Sequence, residues 1–445
     1  MFAPGVRLLT IGMVLIVTLV AFESMAVATI MPLVEEDLGD LWLYGWVFSA
    51  FFLGNLVGVV IAGTAADRMR PAIPFAAGLV IFSMGLIIGG TANSMLMLVA
   101  GRLLQGLGAG AMPAISYVCI GRGYPPETRA RMFALMSSAW VVPSVAGPAL
   151  AGVIGAAVGW RWVFLGLLPL CGVIGLIALV GVRTIEAPHQ QTGDSNVLRA
   201  LQVAIGAGLL LAGLGARNLL VAVLVVVIGI CILVPAFRRL TPEGTLRARA
   251  GLPATVLVRG LLGFGFFAAD AYVPFAITTA RGLSATFGGL ALTAATFTWT
   301  IASWLQARWV DRTGPRRLVI AGLLFVGGGS LSLLAVLVPS IPAWIGLVSW
   351  AIGGFGIGLA YAPLSLVTLA VAPRGEEGRA TAGLQLSDML GTAMGTGVAG
   401  AIVTFGAVTM GSEITGLAMV FVLAAAVAVL GAFIGNRVPD EVHQT

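Results

Sequence analysis

Five ionisable side chains fall inside the long apolar stretches of this 445-residue sequence: Glu23, Arg102, Arg259, Asp270 and Asp388. Each costs about 2.5–3.5 kcal/mol at the centre of a membrane helix, so each demands a reason for being there. A carboxyl in an apolar cavity can load and release a proton near neutral pH. Glu23 is the sharpest candidate; the alternative is an acid near enough to the surface to stay hydrated, because an acidic stretch begins twelve residues later at Glu35. Asp270, preceded by Phe266 and Phe267 and followed by Tyr272 and Pro274, is a candidate for protonation, for pairing with a cationic substrate, or for holding a polar neighbour. Asp388, in Gln385-Leu-Ser-Asp388-Met-Leu-Gly391, reads as a proton site or as one end of an inter-helix hydrogen bond. Arg102 needs a carboxylate or polar partner, whereas Arg259 lies near the start of its stretch and reads as a snorkelling side chain.

Other chemistries have little to work with. All 24 basic residues are arginine, so the phosphate-cradling lysine of a P-loop and a Schiff-base lysine are both absent. Cys119, Cys171 and Cys231 stand singly in apolar segments, and the two histidines, His189 and His443, lie in a polar connector and at the tail. A metal site, a disulfide framework or a histidine-based triad is not supported, and no cofactor is expected. Gly106-Gly108-Ala111 and Gly263-Gly265-Ala268 fit Gly-x-Gly-x-x-Ala only superficially, since neither follows a strand.

The elements that carry these residues are membrane helices. The chain is 59% apolar and only 9% charged, against roughly 25% in soluble domains. Stretches of about 20 apolar residues occur near 8–31, 42–64, 74–92, 95–120, 132–158 and 162–182, then 198–215 and 218–237, then 252–280, 284–307, 318–338, 341–372, 381–408 and 414–436. The expectation is an all-α polytopic membrane protein of fourteen spans: a six-helix bundle over 1–183, a connector with two additional helices over 184–251, a second six-helix bundle over 252–436, and a tail at 437–445. The connector contains Glu186, Pro188, His189, Gln190, Gln191 and Asp194. The first stretch reads as an uncleaved first helix, with only Arg7 ahead of it. With the N-terminus inside, 19 arginines fall in cytoplasmic segments and only Arg161, Arg217 and Arg281 outside, which predicts two cytoplasmic termini in a cell membrane. Loop arginines that orient a membrane protein also explain the basic balance without nucleic acid.

The two halves repeat at an offset near 244–250 residues. Gly63-Thr-Ala-Ala-Asp67-Arg68-Met-Arg70 aligns with Ala307-Arg-Trp-Val-Asp311-Arg312-Thr-Gly314-Pro-Arg316-Arg317. Glu127-Thr-Arg129-Ala130 aligns with Glu377-Gly-Arg379-Ala380, and Gly106-Leu-Gly-Ala-Gly110 with Gly354-Phe-Gly-Ile-Gly358. Asp67, Arg68, Asp311 and Arg312 at helix ends are candidates for loop ion pairs that gate one side of the membrane.

With these motifs the chain resembles the major facilitator superfamily over essentially its full length, and within it the fourteen-span drug–proton antiporters. The loop motif is similar to that family's Gly-x-x-x-Asp-Arg-x-Gly-Arg-Arg, with Arg70 in place of the second glycine in the first copy and Ala307 in place of the first glycine in the second. The run from Phe22-Glu23 to Pro32 is similar to the family's helix 1 signature Leu-Asp-x-Thr-x-x-Asn-x-x-x-Pro, with Met25 and Ala28 where threonine and asparagine stand. Gly101-Arg102-Leu-Leu-Gln105-Gly106 resembles the helix 4 arginine signature, which implies a role in proton transfer and a partnership with Glu23. Gly147, Pro148 and Gly152 match the helix 5 exporter signature, while Pro143 and Ala151 replace its other glycines.

The resemblance implies the superfamily's fold and a monomeric, proton-coupled exporter of small amphiphilic or cationic compounds working by alternating access in the bilayer. Expected proton-coupling residues are Glu23, Arg102, Asp270 and Asp388; expected cavity residues are Gln105, Tyr117, Phe266, Tyr272 and Tyr361. Tyr117, Trp140, Trp299 and Tyr361 also read as interface anchors. Export of a native metabolite or lipid is the alternative reading, and uptake by proton symport is a weaker one.

Overall fold

The computed structural model describes residues 7–186, 196–216, 218–373 and 376–440. Pro188, His189, Gln190, Gln191, Asp194, Arg217 and His443 lie outside the described residues, as do the side chains of Glu127 and Ala130. Seventeen α-helices are described, and twelve helical stretches are long and apolar enough to cross a membrane. The chain is an all-helical, multi-span membrane protein.

The helices fall into two compact units, Met1–Asp40 with Ala50–Ala204, and Leu41–Ser49 with Ile205–Thr445. The first unit contains α1 (Arg7–Leu38), most of α2 (Tyr44–Ala66), α3 (Ala72–Gly90), α4 (Met95–Gly123), α5 (Pro126–Ser138), α6 (Val141–Val158), α7 (Arg161–Leu165), α8 (Leu167–Val182) and the start of α9 (Val197–Leu214). The second contains the first turns of α2, the rest of α9, α10 (Leu219–Leu240), α11 (Leu252–Asp270), α12 (Val273–Arg281), α13 (Ala285–Thr313), α14 (Pro315–Ser332), α15 (Ile345–Val371), α16 (Glu377–Thr409) and α17 (Glu413–Gly435).

Helix starts follow local chemistry. The hydroxyls of Ser94, Ser284 and Ser412 accept from the backbone N–H three residues on, opening α4, α13 and α17. Three expected spans are broken: 132–158 by the two residues between α5 and α6, 162–182 at Gly166 between α7 and α8, and 252–280 by Ala271 and Tyr272, just before Pro274 in the first turn of α12. The α7–α8 and α11–α12 pairs each count as one of the twelve, whereas α5–α6 and α13 fall outside them. Six threonines lower the hydropathy of α13, yet Thr293, Thr296 and Thr300 each bond back to the carbonyl four residues earlier at 2.9–3.1 Å. Their hydroxyls are thereby satisfied within the helix.

Glycine sets the register of the packing. In the first unit, Cβ atoms added at Gly106 and Gly110 would strike the backbone carbonyls of Phe51 and Asn55 on α2, while one at Gly108 would strike that of Gly78 on α3. Helix α4 is therefore held between α2 and α3 at backbone contact distance. The second unit repeats this arrangement. Gly354 and Gly358 meet the carbonyls of Ala295 and Trp299 on α13, and Gly356 meets that of Gly322 on α14. The repeat seen in sequence is thus a repeat of helix packing.

Candidate functional site

The first constellation is built from four helices of the first unit. Glu23 projects from α1 and is 1% exposed; Arg102 projects from α4 and is 2% exposed. Arg102 Nη1 donates to Glu23 Oε1 and, at 2.6 Å, to Gln105 Oε1 one turn further along α4. Gln105 is oriented in turn by α3: its Nε2 donates to the Gly85 carbonyl at 2.9 Å, which aims its oxygen at the guanidinium. The Phe51 ring of α2 lies 4.2 Å from the guanidinium carbon. Arg102 thus has an anionic, a neutral polar and an aromatic partner, and keeps two of them when the carboxylate is neutralised. Glu23 Oε2 is buried with no hydrogen-bond partner, which leaves it available to accept a proton.

The exporter-like run packs onto the same stretch of α1. A Cβ at Gly147 would lie 3.4 Å from Met25 Cβ and 3.7 Å from the Phe22 ring, the residues flanking Glu23. Pro148 lies inside α6, and Gly147, Pro148 and Gly152 are buried.

The second constellation lies wholly in the second unit. Arg259 on α11 is 1% exposed and does not snorkel. It pairs with Asp388 of α16 through one hydrogen bond, Nη2 donating to Oδ2 at 3.3 Å, while Nε lies 3.2 Å from Oδ1 without hydrogen-bond geometry. The expectation from its position failed because Asp388, 129 residues away, supplies a buried counter-charge. Arg259 Nη1 also donates to the Tyr361 carbonyl at 2.7 Å, and the guanidinium stacks 3.1 Å from the centre of that residue's ring. The Tyr361 hydroxyl donates to Asp388 Oδ2 at 2.8 Å.

Asp270 ends α11 and accepts from Trp350 Nε1 of α15 at 2.7 Å. Phe266, one turn earlier, stacks on Trp350 with centroids 4.8 Å apart and planes 20° from parallel. Trp299 meets Phe266 edge-on, and Tyr361 packs against Trp299. Tyr272 is fully buried, packed against Tyr44 and between Gly45 and Gly400. Tyr117 is half exposed on α4, away from Arg102 by four turns of helix, and Trp140 is also exposed.

The loop residues behave differently in the two repeats. Arg122 Nη2 donates to Asp67 Oδ1 at 3.2 Å and Nη1 to the Ala66 carbonyl at 2.9 Å, closing the end of α2; Arg68 is exposed. Asp311 and Arg312 are exposed and enter no ion pair among the described residues. In that copy Arg316 instead donates to the Val438 carbonyl and lies 4.0 Å from Asp440.

Sequence reasoning missed Phe51 and Trp350 as partners of the buried acids and bases. The glycine motif held the signal for Trp350, since aligning Gly106 with Gly354 sets Trp350 at the place of Arg102.

Similarity to known proteins agrees with this architecture. The chain is 28% identical over 414 residues to multidrug transporter protein MdtP of Bacillus subtilis (strain 168), covering 89% of this chain and 75% of that protein. It is 26% identical over 441 residues to a probable multidrug-efflux transporter of Mycobacterium tuberculosis (strain ATCC 25618 / H37Rv), covering 94% and 92%. Among solved structures, a D-xylose–proton symporter shares the fold with a TM-score of 0.70 at 16% identity, covering 97% of this chain and 98% of that one. The family model of the Major Facilitator Superfamily matches residues 13–237 and 255–445. The chain belongs to the Major Facilitator Superfamily and is a membrane transport protein, not an enzyme.

Proposed function

We propose that the protein exports small amphiphilic or cationic compounds across the cell membrane in exchange for protons. The observation that carries this reading is the buried Glu23–Arg102–Gln105 constellation, with an orphan carboxylate oxygen and a cation that keeps Gln105 and Phe51 when the acid is protonated. The multidrug-efflux relatives and the Gly147-Pro148 packing beside Glu23 support export as the direction. In the cycle, a proton from outside neutralises Glu23 and weakens its tie to Arg102; release of the proton inside restores the pair, alternating with substrate.

The energetics suffice. One proton crossing about 100 mV yields ~2.3 kcal/mol, and one pH unit adds roughly 1.4 kcal/mol. Together they sustain a gradient of about several hundredfold for a neutral substrate at one-to-one exchange.

The same proposal includes fourteen spans with both termini cytoplasmic, acting as a monomer. The broken α5–α6 pair and the internally bonded α13 supply the two crossings beyond the twelve. Helices α9 and α10 form the central insertion, and the exposed apolar side chains of α10, such as Leu220 and Val223, suit contact with lipid. The test is dye export in proteoliposomes with an imposed pH gradient. Glu23→Gln is expected to abolish gradient-driven flux and its counter-movement of protons. Flux equal to that of the unaltered protein would overturn the proton assignment.

A further inference from the structure

The segment that leads from the end of α10 into α11 carries four arginines, Arg238, Arg239, Arg247 and Arg249, against one acid, Glu243. All four are exposed, and none forms an ion pair or donates a side-chain hydrogen bond among the described residues. Arginines at several other helix ends are bound within the protein. Arg122 holds Asp67, Arg161 holds Asp37, and Arg281 donates to the Pro339 and Ile341 carbonyls. Asp440, in the tail after α17, lies 4.0 Å from Arg316. The four charges between α10 and α11 are therefore left without a partner in the fold.

Their backbone is nonetheless fixed. The N–H groups of Arg247 and Arg249 both donate to the Gly244 carbonyl, at 3.0 and 3.2 Å, and Ala248 between them is left-handed at φ 49°. The Arg249 stem lies across Gly244, where a Cβ would strike it. From the end of α17, Arg437 Nη1 donates to the Ala248 carbonyl at 2.9 Å, and the Arg437 carbonyl accepts from Gly251 at 3.0 Å. Arg437 is itself exposed and adds a fifth guanidinium to the group. The end of α10 is seated on α16, where a Cβ at Gly383 would lie 3.3 Å from the Leu240 carbonyl. Exposed apolar side chains run up to these charges: Val227 and Ile230 on α10 before Arg238, Leu246 beside Arg247, and Phe433 one turn before Arg437. Charge that only orients a membrane chain needs number alone. Guanidinium groups started from a bonded turn, at the border of an apolar helix surface, instead lie where a headgroup phosphate joins its acyl chains.

We propose that Arg238, Arg239, Arg247, Arg249 and Arg437 form a binding site for an anionic phospholipid, with the phosphate held by the guanidinium groups and the acyl chains lying along α10 and Leu246. Guanidinium is planar and binds phosphate through paired N–H donors, so a small group of arginines suits this ligand. Five arginines less Glu243 leave four positive charges, which favours a headgroup with two phosphates over one. The lipid fastens the end of the α9–α10 hairpin to the start of α11 and the end of α17, all within the second unit. The inference goes beyond the export reading, because binding requires neither a substrate nor a gradient.

The test is native mass spectrometry of the purified full-length protein in detergent, titrated with tetraoleoyl cardiolipin or with dioleoyl phosphatidylcholine. The unaltered protein is expected to bind cardiolipin at least about tenfold more tightly than the zwitterionic lipid. Arg238→Gln with Arg239→Gln, and Arg247→Gln with Arg249→Gln, are each expected to weaken cardiolipin binding at least about tenfold, since one guanidinium at a membrane surface contributes roughly fivefold. These side chains hold nothing within the protein, so both variants keep the packing of the turn. Arg7→Gln with Arg183→Gln, which removes two exposed arginines at the ends of α1 and α8, is expected to stay within about twofold. Inorganic pyrophosphate at the lipid's concentration is expected not to displace it, because it lacks the acyl chains. Equal affinity for the two lipids, or unchanged binding by either monodisperse pair variant, would overturn the site. An equal loss in the Arg7 and Arg183 variant would reduce it to diffuse charge, and displacement by pyrophosphate would make it a site for free phosphate; each of these also refutes the lipid assignment. If one pair variant is not monodisperse, the other decides.

Discussion

Removing Arg102 and Glu23 together should harm the protein less than the sum of the two single removals. In Arg102→Met, a buried carboxylate loses its counter-ion, and breaking a buried pair from one side costs about 3–5 kcal/mol. Gln105 Oε1 also loses its donor at 2.6 Å, although its Nε2 stays fixed to the Gly85 carbonyl. In Glu23→Gln, Arg102 keeps Gln105 and Phe51, and the new amide oxygen can still accept, so the cost falls to about 1–3 kcal/mol. In the double variant no buried charge remains uncompensated, and the expected coupling is about 2 kcal/mol in favour of the double over additivity. The measurement is unfolding in detergent followed by a thiol-reactive dye. Cys119 and Cys171 are buried and report exposure of the core; Cys231 is exposed and is first changed to serine. Destabilisations that add without coupling would refute the ion pair as an energetic unit, whatever its role in transport.

The second unit offers two further checks. Arg259→Lys keeps the charge but lacks the two nitrogens that hold the Tyr361 carbonyl and Asp388 Oδ2 at once, so a loss of about 1–3 kcal/mol is expected; thermal unfolding equal to that of the unaltered protein would show that the guanidinium's two bonds contribute nothing. Gly354→Val drives a side chain into the Ala295 backbone and should cost about 1–3 kcal/mol or more, whereas Gly121→Ala, which meets nothing within 4 Å, should be neutral or slightly stabilising. Yields of monodisperse protein on size exclusion separate the two.

Membrane spans were legible because hydropathy reports transfer free energy directly, and the ends of those spans less so. Helix α1 runs through Pro32 to Leu38, well past the apolar stretch ending near residue 31. Glu35, Glu36 and Asp37 mark where the chain leaves an apolar environment, which is not where its backbone bonds stop. Asp37 instead accepts from Arg161 at 2.8 Å and Trp160 at 3.2 Å, tying that helix end to α7. Glu23 with Arg102 was legible because both sit in motifs with a recognisable pattern. Arg259 with Asp388 was not, since pairing across 129 residues leaves no trace in the spacing of one sequence. Depth along a helix likewise does not say which way a side chain faces: Gln105 turns inward to Arg102, while Tyr117, on the same helix, is half exposed.

The glycine contacts of α4 and α15 have a consequence for how this chain could diversify. Their fit is backbone on backbone, so it does not depend on the shape of the side chain that the helix presents one turn before. Arginine in one repeat and tryptophan in the other occupy that place above the same three-glycine ladder. Functional novelty at this position therefore needs no compensating change in the helix contacts beneath it. A duplicated bundle built this way can inherit a finished fold and alter its chemistry by single substitutions.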